Sequence, residues 1–231
     1  MAKVLMVLTS HDQIGGTGRS TGFYVGEAAH PYEVFTREGV EVDFVAPKGG
    51  TPPQDGINRD DPSQAAFLDD PAVTAALAAT LTPTDVDPAD YDAVLYVGGH
   101  GTMWDFPDNE KLADVARQIW ETGGAIAAVC HGPAGLVNIK LSDGSYLVEG
   151  KTVAAFTDDE ERAAGMDQEV PFLLASTLVQ RGARHTTAPN FQPNVEIDGR
   201  LVTGQNPASA MALAEALVEM IKIRRSAGVS A

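Results

Sequence analysis

Cys130 and His131 stand side by side in Ala125-Ile126-Ala127-Ala128-Val129-Cys130-His131-Gly132-Pro133, and Cys130 is the chain's sole cysteine. Ala125 to Val129 is a short apolar run of the kind a buried parallel strand shows, and Pro133 suits the first turn of a helix. A cysteine at such a strand-to-helix turn faces free backbone N–H groups. Those groups and the helix dipole are expected to favour the thiolate, the reactive form. The geometry is that of a nucleophile elbow with cysteine in place of serine. A lone cysteine can also be a buried structural residue, but glycine and histidine directly after it suit a site better than a core. The His131 imidazole, beside the thiol, can act as base or acid near neutral pH.

A histidine in that role needs an orienting partner, and the acidic run Asp158-Asp159-Glu160-Glu161 supplies candidates. Most of that run is expected to do no more than start a helix. Glu27 sits among small and apolar residues in Tyr24-Val25-Gly26-Glu27-Ala28-Ala29. Either it is an ordinary exposed helix carboxylate, or it reaches the cleft. In the cleft, desolvation would raise its pKa and let it donate to a thiolate or carry protons. Gly98 and Gly99 end an apolar run without side chains, so their N–H groups could join that of His131 in an oxyanion hole. His100 is expected to pack or hydrogen-bond locally rather than ligate a metal. No His/Cys/Asp/Glu spacing matches a dedicated metal motif. Gly15-Gly16-Thr17-Gly18-Arg19 lacks the spacing and lysine of a phosphate loop and reads as a flexible loop near the cleft mouth.

The elements that must position these residues follow from periodicity. Strands are expected at Lys3 to Thr9, Glu41 to Ala46, Ala93 to Val97, Ala125 to Val129 and Thr152 to Phe156. Helices are expected over about Gly22 to Glu38 (kinked or broken at Pro31), Asp70 to Thr80, Asn109 to Glu121 and Pro171 to Arg181. Asp198-Gly199 marks a hairpin between Val195 to Ile197 and Leu201 to Thr203, and Asn206-Pro207 is expected to cap a final helix reaching about Arg224. Strands alternating with helices predict an α/β fold, a mostly parallel sheet with helices on both faces and the cleft beyond the strands' carboxyl ends. We expect a single domain over 1–231, with small insertions at about 47–70 and 139–150, the second a hairpin at Ser142-Asp143-Gly144.

Acidic residues outnumber basic ones 32 to 16, for a net charge of −16. That field repels phosphate backbones and anionic membranes, which argues against nucleic-acid and membrane partners. One cysteine makes no intrachain disulfide, which fits a reducing cytoplasm. The apolar run Val4 to Leu8 is too short for a membrane span or a signal-peptide core.

Seven stretches taken in order resemble the ThiJ/PfpI family of the class I glutamine amidotransferase-like superfamily, in its heat-shock, glutathione-independent glyoxalase III branch. They are Leu8-Thr9-Ser10, Thr21 through Pro31, Glu41 through Val45, Gly99-His100-Gly101-Thr102-Met103-Trp104-Asp105, Ala127 through Pro133, Phe156-Thr157-Asp158, and Gly199 through Ser209. The resemblance implies a flavodoxin-like sheet, Cys130 as nucleophile, Glu27 as cleft carboxylate and His131 as second proton carrier. It implies Glu161 as the partner of His131, with Glu160 a rival, and Gly99 and His131 as oxyanion donors. The implied reaction turns methylglyoxal or glyoxal into a hydroxy acid through a Cys130 hemithioacetal, an enediol and a thioester. It needs no cofactor and no metal, and a homodimer is the family expectation. Two rival functions share the cysteine: an amidase or peptidase acting on C–N bonds, and a redox-sensing stress chaperone.

Overall fold

The computed structural model describes residues 1–228. Six strands build the central sheet: β1 Lys3–Val7, β2 Glu41–Val45, β3 Ala93–Tyr96, β4 Ala125–Val129, β5 Val195–Asp198 and β6 Leu201–Gly204. Their order is β5-β6-β4-β3-β1-β2, all parallel except the edge strand β5, which pairs antiparallel with β6. Read from the other edge, β2-β1-β3-β4-β6 is the flavodoxin-like order. The β5–β6 hairpin turns at Gly199, whose φ of 65° is the left-handed conformation such a turn demands.

Both faces of the sheet are covered, so its central strands are apolar throughout rather than alternating. In β1, Val4 and Met6 point into one core cluster, and Leu5 and Val7 into the other. In β4, Ala125, Ala127 and Val129 face the first and Ile126 and Ala128 the second. Helices α1 Val25–Arg37, α2 Pro62–Asp69, α3 Pro71–Ala78 and a late α8 Ala210–Ser226 cover the first face. α4 is the single turn Thr102–Asp105, and α5 Glu110–Glu121 lays Leu112, Val115, Ala116 and Ile119 on the second face. The short α6 Asp158–Ala163 follows, and α7 Leu174–Gln180 adds Leu174 and Leu178 to that side. Each such aliphatic side chain removed from water contributes roughly 1.5–3 kcal/mol.

Several expectations are corrected. The first helix begins at Val25, because Phe23–Tyr24 instead forms a short parallel pair with Gln54–Asp55. It runs unbroken through Pro31. The polar stretch ahead of residue 70 holds α2, started by Asp61, whose carboxylate accepts from the Ser63 and Gln64 N–H groups, with Pro62 in the first turn. The strand at 152 is only Thr152–Val153. It pairs with Arg184–His185 outside the central sheet, and the Ala154 N–H is taken by Thr203 Oγ1. The insertion near 142 is a turn closed by one antiparallel bridge, Lys140 to Tyr146, not a hairpin of two strands. Asn206 does not cap α8; a 3₁₀ turn at Pro207–Ser209 intervenes, and the Asn206 amide is used elsewhere.

Candidate active site

Cys130 directly follows β4 and sits at φ 60°, a conformation that costs a non-glycine residue on the order of 1–3 kcal/mol. It shares positive φ only with Phe191 among the described non-glycine residues. Two backbone hydrogen bonds hold it there: the Cys130 N–H donates to Gly204 O, and the Phe156 N–H donates to Cys130 O, each 2.9 Å. The chain then winds into a 3₁₀ segment, Gly132–Leu136. Gly132 has no room for a side chain, since a Cβ there would lie 2.2 Å from Tyr96 O. This is the sharp strand-to-helix turn expected, except that a short 3₁₀ segment carries little dipole.

Glu27, in the first turn of α1, is fully buried rather than exposed. Neither of its oxygens has a well-formed hydrogen bond; the Cys130 thiol and the Gly98 N–H are the groups near enough to act on it. Burial pushes its carboxyl up to about 8, against the smaller pull of those two donors. Gly98 makes the approach possible. A Cβ at 98 would lie 2.3 Å from Glu27 Oε2 and 2.9 Å from Cys130 Cβ.

The thiol itself departs from expectation. Burial pushes Cys130 up, and so does a charged Glu27 beside it, while the His131 N–H pulls the other way. Cys130 is only 4% exposed. The turn alone therefore does not make a thiolate. The repulsion from Glu27 vanishes when that carboxyl is protonated, and its O–H can then donate to sulfur. Glu27 and Cys130 are a coupled pair that cannot both be charged in so dry a place.

On the other side of the sulfur, His131 Nδ1 lies 3.4 Å from Cys130 Sγ, and His131 Nε2 lies 2.8 Å from Glu161 Oε2. The second Glu161 oxygen meets His100 Nε2 at 2.9 Å, so one carboxylate bridges two imidazoles whose ring centres are 4.2 Å apart. The Phe156 ring covers His131 at 4.3 Å. Burial, and then the neighbouring His100, lower His131 to about 4, despite its bond to Glu161. Burial would raise Glu161, but the hydrogen bonds from His100 and His131 outweigh it and bring it down to about 2. At neutral pH the site thus holds a neutral imidazole on an ionised carboxylate. His100, Nε2 of His131 and Glu161 also bring ligand atoms within 4.8 Å of one another, a spacing a divalent cation could use, although each nitrogen is already matched to a carboxylate oxygen.

Of the two rival glutamates, then, Glu161 touches His131. Glu160 closes a capping box with Thr157 and accepts from the Phe191 N–H, Gln205 Nε2 and Asn206 Nδ2. Asp158 binds Ser176, and Asp159 pairs with Arg162 at the surface. Glu160→Gln is expected to lower unfolding stability by about 2 kcal/mol in urea titrations, because a buried carboxylate accepting several bonds becomes an amide. Glu161→Gln should instead slow turnover by about 10²-fold to 10⁴-fold with less change in stability.

Neither the Gly99 N–H nor the His131 N–H donates to a protein oxygen among the described residues; His131 follows Cys130 directly, and Gly99 follows the Gly98 that packs on it. Gly99, at φ 108°, would place a Cβ 2.2 Å from Gly22 O. The exposed loop at Gly15 to Arg19 lies near Trp104 and the turn at 166–169, where Arg19 Nη1 donates to Met166 Sδ. Residues the sequence did not single out are Tyr24, whose hydroxyl burial and the charges of Glu27 and Cys130 push upward, and Phe156 over His131. The bond from His100 to Glu161, 61 positions away, carried no local signal.

The fold and this corner of it define a class: parallel α/β proteins that present a cysteine on an elbow after a central strand, between a buried glutamate and a histidine. A sequence model of the DJ-1/PfpI family matches residues 21–220, and the chain belongs to that family. It is 37% identical over 235 residues to the Saccharomyces cerevisiae protein named glutathione-independent glyoxalase HSP31, covering 95% of this chain and 98% of the relative. The crystal structure of glyoxalase III from Candida albicans superposes with a TM-score of 0.85 at 32% identity, over 94% of this chain and 96% of that one. The Francisella tularensis rapid encystment protein of 24 kDa gives a TM-score of 0.93 at 36% identity, over 96% and 99%.

Proposed function

We propose that this chain is a glutathione-independent glyoxalase that converts a small 2-oxoaldehyde such as methylglyoxal to its 2-hydroxy acid, with Cys130 as nucleophile. The observation that carries the reading is the pair of carboxyl groups set in opposite states about one sulfur. Glu27, pushed up to about 8, is a protonated acid at neutral pH, and Glu161, at about 2, is an anion holding a neutral His131. Paired groups driven apart in this way mark acid and base roles. The glyoxalase names of the relatives at 37% and 32% identity support the same reaction.

Cys130 gives its S–H proton to His131 Nδ1 as the sulfur bonds to the aldehyde carbon. The C=O pair moves to the oxygen, which takes that proton, with the Gly99 and His131 N–H groups donating to it as charge develops. Glu27 donates its proton to the ketone oxygen as the enediol forms and recovers one from the hydroxyl on the first carbon as the thioester forms. His131 removes the proton from the former aldehyde carbon to give an enediol and returns it to the neighbouring carbon. That exchange oxidises the first carbon and reduces the second, so no external electron carrier enters. Water then attacks the thioester, the C–S bond breaks, and the hydroxy acid leaves with the thiol restored.

The rate should follow a bell. It rises with pH through about 4, where His131 loses the proton that blocks its role as base, and falls through about 8, where Glu27 ionises and loses the proton it donates. A peptide or amide substrate would need an open groove, and a Cys130 only 4% exposed favours a small aldehyde. The test is lactate formation from methylglyoxal by reduced protein without glutathione, measured from pH 4 to 9; no lactate at any pH overturns the reading. No helix among the described residues is long and apolar enough to cross a membrane. The homodimer and the cytoplasmic setting belong to this proposal through the family likeness, and light scattering tests the dimer.

A further inference from the structure

Phe191 combines three features that an incidental surface residue lacks. Its backbone lies at φ 62°, left-handed and costly for an aromatic residue. Its side chain is 51% exposed although apolar. Its ring lies 6.3 Å from that of Phe156, the ring that covers His131 at 4.3 Å and meets His100 at 6.2 Å.

Such strain persists only where the surroundings over-determine it, and here they do. The loop 188–194 is fastened from beneath at four points. The Ala188 N–H donates to Gln205 Oε1 at 2.8 Å, and the Phe191 N–H to Glu160 Oε1 at 2.7 Å. Asn206 Nδ2 donates to Gln192 O at 2.7 Å, and the Asn194 N–H to Ser209 Oγ at 3.1 Å. Glu160 is fully buried and is the direct neighbour of the glutamate that holds His131. The first turn of α6 thus fixes the histidine with one carboxylate and the Phe191 backbone with the next. A loop tied this firmly, ending in a strained and half-exposed ring beside the histidine cover, is built to present that ring.

We propose that Phe191 is a specificity-determining residue: with Phe156 it forms an apolar wall that receives the substituent on the ketone carbon, so the site selects 2-oxoaldehydes carrying an apolar group there. The proposal rests on the glyoxalase reading above. Stacking against such a ring amounts to about threefold to tenfold in kcat/KM.

The experiment compares methylglyoxal, giving lactate, with phenylglyoxal, giving mandelate, in wild type, Phe191→Gly and Phe191→Tyr. Glycine adopts the left-handed backbone freely, so it removes the ring and keeps the turn. Phe191→Gly should lose about threefold to tenfold in kcat/KM for phenylglyoxal, mainly through KM. Methylglyoxal, with only a methyl group to set against the wall, should lose less than phenylglyoxal does, the melting temperature should not fall, and Phe191→Tyr should restore the preference. An unchanged substrate ratio, or an equal fall for both aldehydes, overturns the proposal. If wild type forms neither acid, the glyoxalase reading itself has failed. The wall is then judged by protection of Cys130 from alkylation: mandelate should outdo lactate in wild type but not in Phe191→Gly, and equal protection in wild type overturns it.

Discussion

Cys130→Ala is expected to cut lactate formation from methylglyoxal by about 10³-fold or more, with the chain still folded. In the proposed reaction it is the sulfur that bonds to the aldehyde carbon and later leaves from it. His131, Glu161 and Glu27 remain, and the proposal gives them proton transfers rather than that bond. Alanine suffers the same φ of 60° as cysteine and leaves a void of one atom, so stability should shift by no more than about 1–2 kcal/mol. Glu27 should respond as well. The thiol is one of the two groups that pull its pKa down, so its removal should carry Glu27 above about 8. Turnover by Cys130→Ala within about tenfold of wild type would refute the nucleophile; equal circular dichroism spectra would exclude unfolding as the cause of any loss.

Glu27→Gln should make the enzyme slower and the fold stronger. Loss of the proton donor is expected to lower kcat/KM by about 10²-fold to 10⁴-fold and to remove the limb of the pH profile near 8. The stability change has the opposite sign. An acid whose folded pKa stands at about 8 against 4.5 when unfolded holds its proton in the native state while the unfolded chain releases it. Wild-type stability therefore declines as pH rises from about 4.5 to about 8 and levels beyond. The glutamine variant has no such decline. Its advantage should be small at pH 4.5 and grow to about 5 kcal/mol above pH 8. Denaturant titrations at pH 5 and pH 8.5 measure both ends; an advantage that shrinks with pH would show that Glu27 is charged in the folded protein.

The sequence carried most clearly what lies within a few residues. The apolar run ending at Cys130, the glycines at 98 and 99, and the Asp198-Gly199 turn were readable because strand, elbow and hairpin are local patterns. The division of labour between Glu160 and Glu161 was not. Successive residues on a helix point about 100° apart, so which one reaches His131 depends on how α6 docks. The same holds for His100, which finds Glu161 across 61 positions. α2 was missed because the polar content before it outweighed the Asp61-Pro62 start signal. The short strand at Thr152–Val153 was overextended because Ala154 and Ala155 are as apolar as a strand but are buried elsewhere. Most instructive is the thiol. A turn motif announces free N–H groups, but it is silent on burial and on a glutamate arriving from a helix about a hundred residues earlier in the chain.

The two backbone bonds that hold Cys130 have a temporal consequence. One comes from Phe156 and the other ends on Gly204, so both partners emerge from a ribosome after the cysteine itself. A nascent chain that has passed Cys130 but not Gly204 cannot assemble this clamp, and its cysteine relaxes to ordinary backbone without its neighbouring acid and base in register. The positioned thiol arrives as the last strand of the sheet is laid beside β4. During synthesis the thiol stands open to solvent, and burial of the sulfur in the finished fold makes loss of Cys130 alkylation a clock for completion of the fold.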